Sequence, residues 1–495
     1  MRPLNPVTGK SSELVDIEYP FFSVVLEPLL AISNVMLTSP NIQSFAIPLI
    51  VFVFLLGGFL TFWLGDGCHK EGGCWRGIAY VKCFLMGAFI AVGVFFAYTA
   101  FIVYARLIPW RFTPRSDDVV IADFQTHTTY SHDGIIKPVD NLIHHANMGF
   151  KVVCVTEHDN FKALEVVKLA KSNVSLPAVI PGLERCVSIS DDISKMDNAF
   201  YVTVIGIKPG TITEDEVLPI RLKDIVLWAH ERQEAAVIGM PKDMREQLIS
   251  GYAKTGIDGF ELVSDAYKSI ERTKLKGVIE AAEANDLSLI SSSDWHGWTG
   301  TICSGTAVRI PGVKTMTPEQ VATSVVKKLR ANKREDFEPF VIGDYVKPGK
   351  ARIIFSPLIE CVQYFAGMPF IKVLAWWVWF FLFIWVCPIL SKRKVLISRN
   401  LIGGLMLIFG VTVFYRGAFL WDPMNLSYPY YNHFAGNGIF IGLLLLTIGL
   451  YTVDGLKLNF FRQDNRIEIL YTTEDPKDPK DREGKERGKD TLFPL

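Results

Sequence analysis

The sequence predicts an α/β domain, with enough strand–helix units to close a barrel, inserted between two groups of transmembrane helices. Three observations predict it. Apolar residues are segregated along the chain, the middle alternates short apolar runs with amphipathic helical patterns, and histidines and carboxylates gather where those runs end. The composition reflects the segregation: 49% of the 495 residues are apolar and 12% aromatic, yet 21% are charged. That is too apolar for an ordinary soluble protein and too charged for a pure membrane bundle. Basic and acidic residues balance at 51 each, so the charge indicates no nucleic-acid partner. Eight cysteines are too sparse for a disulfide framework.

Taken in order, residues 21–37 are apolar but interrupted by Glu27, Pro28 and Asn34, and read as an interfacial helix. A spanning helix needs about 20 mostly apolar residues. Five stretches qualify: 45–64, 81–102, 373–390, 401–415 (extending toward Trp421) and 439–451. Between the second and third, apolar runs precede helical patterns at 118–123 and 138–147, 152–156 and 161–172, 235–239 and 242–249, and 259–263 and 269–284. Further runs fall at 287–291 and 306–310. Repeated strand-then-helix order implies parallel strands joined by crossovers, in a barrel or an open doubly wound sheet. The expected organisation is an N-terminal segment (1–44), two transmembrane helices (45–108), the α/β domain (113–355), three transmembrane helices (369–453) and a charged, solvated tail (454–495).

With five crossings, the loops carrying Lys70, Arg76, Lys392, Arg393, Lys394 and Arg399, and the segment with Lys457, Arg462 and Arg466, share one side. Basic short loops favour the cytoplasm. The reading is a multi-pass integral membrane protein whose soluble domain is extracytoplasmic (periplasmic), although Arg106, Arg111 and Arg115 oppose it and a Cys68–Cys74 disulfide would reverse it. Cys154 reads as a buried core thiol, and whether Cys186 and Cys303 pair is a matter of geometry.

Four clusters carry the chemistry. Asp123-Phe-Gln125-Thr-His127 through Ser131-His132-Asp133 closes the first run, and Thr156-Glu157-His158-Asp159 the second. Gly182-Leu-Glu184-Arg185 closes the third, and Ser293-Asp294-Trp-His296 a late one. Side chains at the carboxyl ends of barrel strands meet at one mouth. Residues i and i+2 of a strand share a face, so Gln125 with His127, and Asp294 with His296, can converge on one ion. Imidazole with carboxylate suits zinc, iron or manganese better than calcium or magnesium. One histidine at a strand end is ordinarily a satisfied polar residue; four such clusters are hard to dismiss. His144 and His145, on the first helix, are expected at the surface.

This combination resembles the polymerase and histidinol phosphatase (PHP) family over roughly residues 119–309. The family pattern is Asp-x-His-x-His-Thr followed by Ser and Asp, then Thr-Asp-His, Gly-x-Glu, His-Pro and Ser-Asp-x-His. The resemblance implies a distorted (βα)7 PHP-type barrel holding up to three divalent metals. Residue by residue, it implies His127, Glu184 and Asp294 near one metal pair, with Glu184 bridging, and Asp133, His158 and His296 at a third metal. His132 replaces Asp133 if the loop register slips by one.

Two positions depart from the family. Gln125 stands for the first histidine, and Met240, in Gly239-Met240-Pro241, for a ligand of the second metal. The expectation is therefore two divalent metal ions (Zn, Mn or Fe) rather than three. The resemblance implies hydrolysis of a phosphomonoester or phosphodiester by metal-activated water, with no Ser-His-Asp or Cys-centred nucleophile needed. Arg185 would clamp phosphate, or face the barrel exterior; Asp123, Glu157 and Asp159 would orient imidazoles. The partners expected are the lipid bilayer and a phosphorylated substrate, for which the anchor makes a lipid-linked one attractive. The alternative is a non-catalytic sensor or binding module on a partly depleted metal site.

Overall fold

The computed structural model describes residues 2–38, 42–64, 75–171, 175–188, 199–208, 210, 217–242, 244–265, 270–347, 349–391, 394–420 and 429–452. The Cys68–Cys74 loop, the basic residues Lys392 and Arg393, and the tail lie outside them.

The chain opens with β1 (Val15–Glu18) and four helices: α1 (Phe21–Val25), α2 (Glu27–Thr38), α3 (Ile42–Leu64) and α4 (Trp75–Ala105). The α/β domain follows as β2 (Arg111–Pro114), β3 (Val119–Thr126), α5 (Pro138–Met148), β4 (Val152–His158), α6 (Ala163–Lys171), β5 (Ala178–Val187) and β6 (Phe200–Ile205). It continues through α7 (Leu222–Trp228), β7 (Ala236–Gly239), α8 (Ile249–Ala253), β8 (Gly259–Ser264), α9 (Arg272–Ala284), β9 (Ser288–Ser292), β10 (Ser304–Arg309), α10 (Pro318–Arg330) and β11 (Phe337–Val341). Four helices end the described chain: α11 (Lys350–Ala366), α12 (Phe370–Ser391), α13 (Lys394–Leu420) and α14 (Pro429–Thr452).

Nine strands form one sheet in the order β11-β10-β3-β4-β5-β6-β7-β8-β9. The sheet curls until the chain beyond β9 meets β3: Asp294 N–H donates to Gln125 O (2.8 Å) and His127 N–H to Trp295 O (2.9 Å). The closure runs through β3 to β9, and β10 and β11 lie beyond it. The all-parallel expectation is corrected. The β5–β6, β6–β7, β10–β3 and β10–β11 pairs are antiparallel. The reason lies in the connections. Parallel neighbours need a crossover, usually a helix. Only 12 residues separate the end of β5 from the start of β6, about the shortest length a crossover can have.

The barrel interior is filled by Val120, Ala122, Phe124, Cys154, Ile180 and Ile238, with Val321, Val325 and Leu329 of α10 closing over them. Helix α10 starts on a capping box, Thr317 with Gln320. On the outer faces, Leu183 and Val187 pack toward α7, α8 and α9, while Val153 and Val155 pack toward α5 and α6. The N-terminal segment is stitched to this domain. Strand β1 pairs antiparallel with β2, and Leu4 exchanges hydrogen bonds with Val341 (2.8 and 2.9 Å). Cys186 and Cys303 are not disulfide-bonded, and Cys154 is fully buried.

Each of the five apolar stretches is helical, lying within α3, α4, α12, α13 and α14. Among the described residues only Phe84–Ala105 is long and apolar enough on its own to cross a bilayer, by length and composition. Arg352–Ala366 and Phe370–Leu382 meet that measure together but are bent by 106° at their junction. Ile47–Phe59, Gly403–Ala418 and Phe434–Leu450 are apolar but shorter. Of the five expected spans, then, one meets that measure by itself among the described residues.

Candidate metal centre

Strands β3, β4 and β5 run parallel, and the chain leaving β9 joins β3 in the same direction, so four carboxyl ends meet at one mouth. A β-bulge makes the convergence possible. Along β3, Asp123 pairs with Val153 and Thr126 with Val155, so three steps on one strand face two on the other. The extra residue shifts the alternation. Phe124 stays in the interior core while Gln125 and His127 also turn toward it. On β5, Glu184 lies within the strand rather than after it, in register with His158 at the end of β4.

Six residues singled out as ligands come together. His127 Nε2 lies 3.0 Å from Glu184 Oε2 and 3.1 Å from Asp294 Oδ1. His158 Nε2 is 3.4 Å and His296 Nε2 3.2 Å from Asp133 Oδ2. His158 Nδ1, 3.6 Å from Glu184 Oε2, links the two groups. His132, the alternative to Asp133, is 70% exposed with its Nε2 4.0 Å from Asp133, and with Asp133 and His158 it forms a group that could also hold an ion.

Gln125 donates through Nε2 to the same two oxygens that face His127, at 2.9 Å to Glu184 and 3.2 Å to Asp294. Its amide hydrogens thus supply part of the positive charge a cation would bring there. Met240 is buried just past β7. The i, i+2 argument fails for Asp294 and His296: Asp294 has φ 49, a left-handed conformation that aspartate tolerates, so the chain turns there. Both side chains still reach the cluster, Asp294 beside His127 and His296 beside Asp133, with His296 Nδ1 3.8 Å from Asp294 Oδ1.

Hydrogen bonds fix the imidazole tautomers. Glu157 accepts from Thr128 Oγ1 and Ser131 Oγ, both at 2.5 Å. Ser131 spends its only proton on Glu157, so at 3.1 Å it accepts from His127 Nδ1. His296 Nδ1 donates to the Asp294 carbonyl at 2.8 Å. In both rings the neutral form then carries its lone pair on Nε2, facing carboxylate oxygen, an arrangement that requires a cation between them. His127 Nε2 and Gln125 Oε1 are buried and have no hydrogen-bond partner, despite their neighbours. Without a metal, a proton is the available cation. Burial pushes the His127 imidazole down, but the Asp294 and Glu184 carboxylates prevail and hold it well above the usual histidine range. Burial likewise pushes the Asp133 carboxyl up, yet the His158 and His296 imidazoles hold it well below the carboxylate range. The donor set and the orphaned nitrogen fit a divalent metal.

The remaining expectations divide. Glu157 orients His127 through Ser131. Asp123 supports His145 instead: His145 Nε2 lies 2.8 Å from Asp123 Oδ2, and His145 and His144 are buried, not at the surface. His144 stacks on Trp295, ring centroids 4.3 Å apart, behind the Asp294 turn. Arg185 is corrected to a structural clamp. Alternation turns it to the outer face with Leu183 and Val187, where it binds Asp159 Oδ1 at 2.7 Å and the carbonyls of Leu218 and Pro219. Glu261 was missed. It is a buried carboxyl on β8 whose Oε1 has no hydrogen-bond partner, and burial, with Asp294 and Glu184 adding repulsion, pushes it well above the usual range. A lone acidic residue inside the apolar run Gly259-Phe-Glu261-Leu-Val is the signal that could have found it.

Over about two fifths of its length the chain is similar in fold to solved structures, two of which follow. One is an amidohydrolase from Chromobacterium violaceum with bound sulfate and no metal, 16% identical, covering 43% of this chain and 96% of that one, with a TM-score of 0.30. The other is a candidate metal-dependent phosphoesterase from Bifidobacterium adolescentis, 13% identical, covering 42% and 96%, with a TM-score of 0.29. No family model and no curated protein matches. The sheet topology and the residues at its mouth define the class, an α/β barrel with a His/carboxylate centre, and the site stands on its own geometry.

Proposed function

We propose that this protein is a membrane-anchored, metal-dependent phosphoesterase of PHP type, hydrolysing a phosphomonoester or phosphodiester with water. The observation that supports this most is the pair of Nε2 lone pairs, on His127 and His296, aimed at the carboxylates of Glu184, Asp294 and Asp133. His127, Glu184 and Asp294 would hold one divalent ion, and Asp133, His158 and His296 another, with Glu184 near both. Bound there, divalent cations lower the pKa of water to near neutrality and screen the phosphoryl oxygens. The residues supply the rest. Ser131 and the Asp294 carbonyl keep the imidazoles in the ligating tautomer, the buried carboxylates supply charge that selects cations, and Phe124 and Ile180 exclude water from below.

A second reading is a binding module without turnover, favoured by Gln125 lying on both Glu184 and Asp294. Metal analysis of the purified full chain, beside hydrolysis of p-nitrophenyl phosphate and bis-p-nitrophenyl phosphate, separates the two. The enzyme reading expects bound metal and turnover, with His158→Ala or Asp294→Ala lowering turnover by about 100-fold or more. Metal without turnover on either ester, or on any other phosphate ester tried, leaves the binding module. A chain that retains no metal at all sinks both.

A further inference from the structure

The metal-binding loops are built into the apolar helical layer. Ile135, two residues past Asp133, is fully buried against Tyr104 of α4, Val413 of α13, and Phe434 and Ala435 of α14. Tyr104 stacks on Phe434 with centroids 4.6 Å apart and donates its hydroxyl to the Phe434 carbonyl at 2.8 Å. Trp298, two residues past His296 and 46% exposed, meets Phe434 edge-on at 5.5 Å. The two loops are joined, since Ile135 N–H donates to His296 O at 2.9 Å. Arg106, at the end of α4, donates to Ile135 O at 3.3 Å and also lines a cavity of about 400 Å³ with Phe22, Leu26, Leu30, Leu107 and Ile108. The same helices expose apolar side chains outward, among them Phe89, Phe96, Phe440 and Leu443. A barrel tethered only to confine it would need a linker; this one sets the rim of its centre against helices whose far side suits hydrocarbon.

We propose that the ester taken at this centre is the headgroup of an anionic phospholipid. The acyl chains stay with the apolar helices, and the phosphate passes the Trp298–Phe434 edge to reach the His/carboxylate cluster, with Arg106 adding positive charge nearby. This rests on the phosphoesterase reading. Water adds across the P–O ester bond: its oxygen bonds phosphorus, the ester oxygen leaves as the alcohol carrying a proton, and no oxidant or reductant is involved. The apolar tail supplies binding energy remote from the reacting atoms.

The test uses the full metal-loaded chain in phosphatidylcholine vesicles carrying phosphatidic acid or phosphatidylglycerol. The controls are the headgroups alone, glycerol 3-phosphate and glycerophosphoglycerol, together with the two p-nitrophenyl esters. A kcat/KM for one lipid that exceeds its own headgroup by about tenfold or more is expected, as remote binding would produce. Trp298→Ala with Phe434→Ala should bring that ratio toward unity, with retained metal content confirming a folded centre. Equal rates on lipid and headgroup, or cleavage of the p-nitrophenyl esters without lipid cleavage, overturn the lipid assignment and leave the phosphoesterase reading. Cleavage of nothing, with metal bound, overturns both.

Discussion

Ser131 shows how much of the centre depends on a residue that touches no ion. Its hydroxyl joins Glu157 to His127 and also accepts from the His158 N–H at 3.1 Å. Ser131→Ala should lower metal affinity by about 10- to 100-fold, the range for such supporting contacts, measured by competition with a chelator. Gln125→His should act in the opposite direction. It removes the amide from Glu184 and Asp294 and places an imidazole there, so metal content should rise; unchanged content would mean the amide is not what limits occupancy. The pH behaviour follows from two opposed shifts. His127, raised in the folded chain, stabilises the metal-free protein fully below its unfolded value of about 6.5, and that stability fades as pH climbs through the raised value. Asp133, lowered, contributes above about 3.9 and loses its contribution as pH falls through the lowered value. The Tm of the metal-stripped chain should therefore decline on the alkaline side of pH 6.5, while the metal affinity increases there as the proton leaves. A metal-free Tm that rises over that interval would remove the charge argument for His127.

At the level of elements, the ligand loop between β3 and α5 is set by one close approach. A Cβ on Gly134 would lie 1.9 Å from the Thr128 carbonyl oxygen, so no side chain fits without moving the backbone that carries Asp133. Gly134→Ala should disrupt this loop and with it metal retention, while the barrel circular dichroism stays that of the parent. Unchanged metal content would show that the loop adapts. Helix and strand identities were readable here because apolar periods of 3.6 and 2 are local properties. The runs at 152–156 and 259–263 became β4 and β8, and the helical patterns that follow became α6 and α9. Strand β6 was not anticipated, and with it went the antiparallel turn of the sheet. Its register depends on Gly182 and its neighbours meeting Ile205 across the sheet, a long-range pairing with no local signal.

At the scale of the whole molecule, the N-terminal segment and the helical layer both belong to the barrel's architecture. Val15 is fully buried under Trp110, Phe112 and Phe340, far away in sequence. Val15→Asp would bury an unpaired charge and should cost about 3 kcal/mol or more, seen as a lower Tm of the full chain. A wild-type Tm would mean that β1 adds nothing to the domain. The helices also hold a buried ion pair, Lys372 with Glu27 at 2.7 Å, where Tyr364 joins the carboxylate. Glu27 had counted only as an interruption in an apolar stretch. Its partner is some 345 residues away, so only the folded chain explains why a carboxylate is tolerated there.

What the sequence by itself determined was the division into apolar and α/β segments, the elements with strong local periods, and six side chains with the chemistry to hold cations. Those properties are short-range: hydropathy, period and ligand type are present in any few adjacent residues. The tertiary structure alone decided which nitrogen of His127 faces the carboxylates, that a bulge turns Gln125 inward, that Arg185 points away and that Ile135 seats the metal loop on the helices. Each of these depends on the contact of segments distant in the chain, and one extra residue in a strand is enough to reverse which face a side chain meets.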